Sequence, residues 1–294
     1  MMTSGELSTA MGAAMGVKLH PQPAGRAHGG SINECYRWES DVGSLFVKVA
    51  AAERRAMLEA EAVGLEELRR AAAVRVPRVQ GVGLHESHSW LALEWIQLAA
   101  RTGEAEAALG EQLAAQHRCT APAFGWYRNN TIGSTPQVND WTSDWVAFFR
   151  ERRLRYQLDL AGQKGHGARL LRRGEALLER MGGLFATYRP TPSLLHGDLW
   201  GGNWGVDEGG EPVIFDPAVY YGDREADLAM TRLFGGFGAP FYAAYESAAP
   251  LDAGARARAD LYNLYHVLNH LNLFGSGYSG QALSLVERLL AELV

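Results

Sequence analysis

Two short segments hold most of the residues able to do chemistry. The first is Leu195-His196-Gly197-Asp198-Leu199-Trp200-Gly201-Gly202-Asn203; the second is Val213-Ile214-Phe215-Asp216-Pro217. An Asp, an Asn five residues later and a further Asp closing a short apolar strand form the pattern of phosphoryl transfer. Its general form is H-R-D-x-x-x-x-N followed by D-F-G. Here Gly197 replaces the Arg, and Asp216-Pro217 stands where D-F-G would be. The chemistry explains the residue types. One carboxylate must accept a proton from an attacking hydroxyl, while a separate carboxylate and an amide oxygen must hold Mg²⁺ on the phosphates; Asp198, Asp216 and Asn203 offer groups of these types. The alternative is a polar turn with a capping Asp and Asn.

Lys48 lies inside the apolar strand SLFVKV, residues 44–49. Taken alone, a strand Lys reads as an exposed edge residue. The helix expected over 53–70 changes that reading. Leu58, Glu61, Leu65 and Leu68 are spaced 3, 4 and 3 apart, so they share one helical face. Glu61 therefore points toward the core, where an unpaired carboxylate costs roughly 3–5 kcal/mol. Lys48 is its natural partner, and such a pair places a cation on the α- and β-phosphates. Glu59 lies on the polar face with Glu66 and ranks second. Upstream, Gly29, Gly30 and Ser31 let backbone amides approach phosphate, although a simple turn reads equally well. Glu94, Trp95 and Ile96 end the last strand of the first third, where an adenine could bond to an exposed backbone edge; a plain strand end is the alternative.

These residues need a frame to bring them together. Segments 33–39 and 44–49 read as a hairpin about Asp41-Val42-Gly43, and 79–84 and 90–95 as two further strands. The first third thus reads as strands with one helix. Beyond residue 96 the period is helical over 103–118, 140–160, 168–188 and 225–293, with breaks near 235–240 and 275–280. Between them, 194–216 forms two short strands around Glu208-Gly209-Gly210. The connection 121–139 is long, polar and aromatic, a length that is often functional. The fold class is α+β: a small β-rich N-terminal lobe, residues 1–95, and a larger, mostly helical C-terminal lobe, residues 96–294.

Composition excludes several classes. The chain has 294 residues and a net charge of −5, which argues against a general nucleic-acid binder. No apolar run approaches the roughly 18 residues of a membrane span. The start, MMTSGELSTAMGAAMG, lacks the charged and apolar blocks of a signal peptide, and two cysteines are too few for a disulfide scaffold. A cytoplasmic protein with reduced thiols is expected. Cys35 reads as a reduced, half-buried thiol, His117 as structural, and His266 and His270 as packed histidines without a third ligand. Phe148, Phe149 and Tyr156 read as core.

The motifs together resemble the fructosamine kinase (ketosamine-3-kinase) family, a branch of the aminoglycoside-phosphotransferase and choline-kinase group. The resemblance rests on the HGDLWxGN form of the loop, with Trp200 after Asp198-Leu199, and on LFGGF within FDPAVYYGDREADLAMTRLFGGF. It extends to NNTIGSTPQVNDWTSDWVAFFRERRLRYQL and LYNLYHVLNHLNLFGSGY, covering the chain from about residue 25. It implies a protein-kinase-like bilobal fold that uses ATP and Mg²⁺. Asp198 would be the catalytic base, with Asn203 and Asp216 on the metal. Lys48, paired with a Glu of the next helix, would contact the phosphates. Gly29, Gly30 and Ser31 would cover the nucleotide, and 94–96 would face adenine. Separately, Trp200 beside the base offers a flat apolar surface to the sugar-amine, with packing under the loop as the alternative reading, and His196 is a further candidate to meet the substrate. Asp227 would brace the catalytic loop by pairing with an Arg.

The implied substrates are ketoamine sugar adducts on small amines or protein lysines, phosphorylated at C3. The phosphorylated adduct then decomposes and frees the amine. Bacterial-looking members favour ribulosamines or erythrulosamines over fructosamines. Two rival readings remain: an aminoglycoside- or choline-type phosphotransferase, which needs an acidic patch for a polycation, and a catalytically inactive nucleotide-binding scaffold. A protein kinase is disfavoured by the missing A-P-E element and the missing Arg before Asp198.

Overall fold

The structure, a computed structural model, describes residues 4–27 and 33–293. Strand periodicity dictates how its first lobe is built. Strands β1 (Gly25–Arg26), β2 (Glu34–Ser40), β3 (Gly43–Ala51), β4 (Val79–His85) and β5 (His88–Glu94) form one antiparallel sheet in the order β1-β2-β3-β5-β4. Side chains alternate between its faces. Leu45, Val47 and Val49 of β3, with Trp38 and Trp90, pack on Leu7 and Met11 of helix α1 (Ser4–Met15). That helix is an addition to the single helix expected here. Its apolar residues are too sparse to announce a face. The opposite face carries Phe46, Lys48 and Ala50 toward helix α2 (Arg55–Ala71), whose Leu58, Leu65 and Leu68 are buried. Alternation thus puts Lys48 on the α2 side of the sheet.

The second lobe is mostly helical. After β6 (Leu98–Ala99), helix α3 (Gly103–His117) begins at Thr102, whose hydroxyl accepts the amide of Ala105 at 3.1 Å. The 121–139 connection contains a hairpin, β7 (Asn130–Ile132) and β8 (Thr135–Gln137). The helix expected over 140–160 is not continuous. Helix α4 (Trp145–Phe149) passes through a π-helical turn, Arg150–Arg155, into α5 (Tyr156–Gln163). The wider turn carries Arg153 inward. Its guanidinium lies over the rings of Phe148 and Tyr220 and donates to the Val138 carbonyl at 2.7 Å and Asn139 Oδ1 at 2.6 Å. Helix α6 (Ala168–Arg180) is likewise shorter than its reading, giving way to a 3₁₀ turn over Met181–Phe185.

The chain then forms β9 (Ser193–Leu195), β10 (Trp204–Asp207), β11 (Pro212–Ile214) and β12 (Tyr220–Gly222). β10 and β11 are antiparallel, with β6 on the far side of β10; β9 pairs with β12. Helices α7 (Glu225–Leu233), α8 (Ala239–Ala248), α9 (Ala255–Phe274) and α10 (Ser279–Glu292) complete the fold. One buried cluster runs from α2 and β5 into these helices, so the two lobes share a core. Among the described residues, no helix is long and apolar enough to cross a membrane.

Candidate active site

The loop that carries Asp198, the candidate catalytic loop, runs from the end of β9 to the start of β10. Its tightest point is Gly197, at φ +82°, where a Cβ would lie 2.1 Å from the Ala218 carbonyl oxygen. A side chain at this position is therefore excluded, which explains Gly where other kinases carry Arg. The backbone hangs from Asp227 of α7. Its carboxylate accepts the amides of His196 at 2.7 Å and Gly197 at 2.8 Å, and lies 3.1 Å from His117 Nε2. Burial alone would raise the pKa of Asp227, but the hydrogen bond from His117, the neighbouring imidazoles and the Gly197 amide outweigh it and hold the group below the usual carboxylate range. The expected Arg partner is thus replaced by His117 and two backbone amides.

His196 is fully buried, which corrects its expected substrate role. Its Nε2 donates to the Phe215 carbonyl at 3.0 Å, and its Nδ1 accepts the Asp198 amide at 3.2 Å. The ring ties the loop carrying Asp198 to the segment carrying Asp216, and burial favours the neutral form this requires by lowering its pKa. Asn203 Nδ2 donates to the Asp198 carbonyl at 2.8 Å, closing the loop. Arg101 supports it from outside, donating to the carbonyls of Gly201 at 2.5 Å and Trp204 at 2.6 Å. Burial, then the charges of Asp216 and Asp227, push the Asp198 carboxyl up to about 7.

Lys48 is 3% exposed. Its ammonium lies 2.7 Å from Glu61 Oε1 and 2.5 Å from Asp216 Oδ1. Burial would lower its pKa, but the two carboxylates more than offset that and keep it charged. Glu59 instead pairs with Arg55 at 2.7 Å. Asp216 sits at φ +58°, a conformation that non-glycine residues rarely hold without a surrounding reason.

These groups share one cleft of about 670 Å³, a size suited to a small-molecule ligand. Lys48 and Glu61 line it from the sheet lobe; Asp198, Trp200, Asn203 and Asp216 line it from the helical lobe. Glu94, Trp95 and Ile96 run along the connection between lobes. The Glu94 carboxylate bonds Arg75 at 2.8 Å and the Arg78 amide at 3.2 Å. Arg75 also pairs with Asp207 of β10, so this bridge spans the lobes. Gly29, Gly30 and Ser31 lie outside the described residues; Ala27 and Asn33, on either side, line the cleft.

The sequence reading missed the hairpin's part. Asn130, Thr131 and Gly133 line the cleft. Asn130 Nδ2 donates to the Val219 carbonyl at 2.8 Å, and Gln137 Nε2 to that of Ala218 at 3.2 Å, steadying the backbone just after Asp216. The signal available was the Gly133-Ser134 turn pair between Ile132 and Thr135. The weaker candidates stay structural. Burial pushes the Cys35 thiol up to about 11 and the His266 imidazole down to about 3. His270 packs between Phe234, Phe274 and Tyr278.

The profile of the fructosamine kinase family matches residues 3–292. A chloroplastic protein-ribulosamine 3-kinase of Arabidopsis thaliana is 44% identical over 266 residues, covering 90% of this chain and 81% of the plant protein. A Thermobifida fusca crystal structure assigned as a fructosamine-3-kinase superposes with a TM-score of 0.87 at 33% identity, covering 98% of this chain and 99% of that one. The ADP-bound aminoglycoside phosphotransferase APH(2'')-Ib shares the protein-kinase-like fold at 15% identity and a TM-score of 0.64, covering 97% and 98% of the two chains. The chain belongs to the fructosamine kinase family and is an ATP-dependent phosphotransferase.

Proposed function

We propose that this kinase phosphorylates the C3 hydroxyl of ketoamines, with ribulosamines and erythrulosamines ahead of fructosamines, and thereby promotes release of the amine in the cytoplasm. The observation that carries the reading is the shared cleft of Asp198, Lys48, Asp216 and the half-exposed indole of Trp200. The relationship to a protein-ribulosamine 3-kinase supports the sugar class.

Asp198 orients the acceptor hydroxyl and takes its proton. A carboxylate with raised proton affinity is the better acceptor for that step. Lys48, held in place by Glu61, offsets charge on the nucleotide phosphates, while the 94–96 backbone faces the adenine. The hard oxygens of Asp216 and Asn203 suit Mg²⁺. Asn203 commits its amide nitrogen to the Asp198 carbonyl, which leaves Oδ1 as its metal-facing atom. When bound, the ion neutralises phosphate charge. Trp200 offers a flat apolar wall to the sugar-amine and meets Phe234 edge-on, with ring centroids 6.4 Å apart.

The aminoglycoside alternative needs spare acidic groups. Among the described cleft residues, Glu61 and Asp216 are paired with Lys48, and Glu94 with Arg75. That leaves Asp198, the proton acceptor, and no patch for a polycation. A coupled ADP-release assay with ribulosyl-lysine, fructosyl-lysine, choline and kanamycin tests the reading. The expected order places ribulosyl-lysine first, with negligible turnover of choline and kanamycin. Turnover of either of those without turnover of a ketoamine would reject it.

A further inference from the structure

Asp227 holds the catalytic loop, yet its own orientation depends on three helices. Behind it stands a chain of side chains with a defined direction. Arg224 Nη1 donates to Tyr245 Oη at 3.1 Å, Tyr245 Oη lies 2.8 Å from His117 Nδ1, and His117 Nε2 lies 3.1 Å from Asp227 Oδ2. The guanidinium has only donors and the carboxylate only acceptors. The tyrosine hydroxyl therefore donates to Nδ1, and the single ring proton sits on Nε2, facing Asp227. The far end is anchored as well, because Arg224 donates to the carbonyls of Ala249 at 2.8 Å and Pro250 at 2.6 Å. Helices α3 and α8 approach closely enough for this contact because of Gly110, where a Cβ would lie 2.3 Å from the Phe241 carbonyl oxygen.

We propose that His117 is a positioning residue for phosphoryl transfer. Fixed by Tyr245 and Arg224, it supplies the third donor to a buried carboxylate that suspends the amides of His196 and Gly197. Among the described residues, Asp227 without that donor keeps only the two backbone amides. A buried carboxylate short of donors reorients or takes up a proton, and either change loosens the backbone that sets Asp198. A displacement of about 1 Å at a reacting group costs on the order of 10²-fold in rate. The nucleotide contacts proposed for Lys48 and residues 94–96 lie on the other side of the cleft and stay in place. The effect therefore falls on kcat and leaves KM for ATP unchanged.

His117→Gly, assayed with and without added imidazole or thiophene, provides the test. Thiophene fills the same space but offers no N–H donor. Exchange of the His196 and Gly197 amides, followed by NMR, reports the loop without reference to any acceptor. Only the kcat arm rests on the ketoamine reading, and failure of that reading would appear first as an inactive wild type. The expected result is a kcat about 10²-fold lower with KM for ATP within about twofold of wild type, and faster exchange at both amides. Imidazole restores both kcat and protection; thiophene restores neither. Tyr245→Phe keeps the ring and removes the relay hydroxyl, so it serves if the glycine variant does not fold. It is expected to lower kcat several-fold, with KM for ATP unchanged and exchange at the same amides increased. Equal restoration by thiophene, or unchanged exchange at His196 and Gly197 in the variant tested, overturns the proposal.

Discussion

The two walls of the cleft are built on different principles. On the sheet side, Lys48 is held by charge, since two carboxylates surround one ammonium and strand alternation alone aims it. On the helical side, Asp198 is held by geometry. Its loop hangs from Asp227, is bridged by His196 and closed by Asn203, all through backbone amides and carbonyls. The sheet wall is thus an electrostatic device that tolerates small displacements. The loop wall is a positional device that does not.

Five variants would break or sharpen that contrast. Asp198→Asn should have the largest effect. It keeps the shape and removes the proton acceptor, so turnover falls by at least about 10³-fold, while ADP binding measured by calorimetry stays near wild type. Lys48→Met comes next. It leaves Glu61 and Asp216 without their cation, so kcat/KM for ATP falls by about 10²-fold and stability by about 3 kcal/mol in urea unfolding. Adding Glu61→Leu should recover stability but not activity, as a charge-based site requires. Trp200→Ala should raise KM for the ketoamine about tenfold and leave KM for ATP alone; an equal rise in both would remove its acceptor role. Gln137→Ala, which frees the Ala218 carbonyl and also releases Asn130 Oδ1 and the Tyr265 hydroxyl, should lower kcat a few-fold at unchanged KM for ATP.

The raised pKa of Asp198 adds a pH test. Folded, this group keeps its proton up to about 7; unfolded, it loses it near about 4. Between those values the native state binds the extra proton. The stability this contributes is complete below the unfolded value and is lost as pH rises through about 7. Asparagine does not titrate. The melting temperature of Asp198→Asn should therefore gain on wild type as pH goes from about 5 to about 8. A constant difference would show that burial and neighbouring charge do not hold the proton on Asp198.

What the sequence revealed follows the same division. The sheet wall was legible because it depends on local periodicity: Glu61 was favoured over Glu59 by its leucine-sharing helical face, and an inward carboxylate in turn asked for Lys48 as its partner, although Lys48 alone read as an edge residue. The loop residues Asp198, Asn203 and Asp216 were legible from motif spacing. Their supports were not. Asp227 was expected to pair with an Arg and meets His117, which lies 110 positions away in the chain. His196 was expected to touch substrate and is enclosed behind the loop, because a neutral ring bonding on both edges has no local signature. Arg153 sits in the charged run RERRLR, and only the π-helical turn carries it inside. Polar groups brought together by tertiary contacts leave no period to read.

The central claim is that Asp198 takes the proton of a ketoamine hydroxyl as ATP transfers its phosphoryl group in this cleft. The most direct measurement is ³¹P NMR of the product formed from ribulosyl-lysine and ATP by wild type and by Asp198→Asn at equal nucleotide occupancy. The account predicts a sugar phosphate at C3 with wild type and no sugar phosphate with the variant. Undiminished sugar phosphate from the variant, or wild-type phosphate on another position of the sugar, would contradict it.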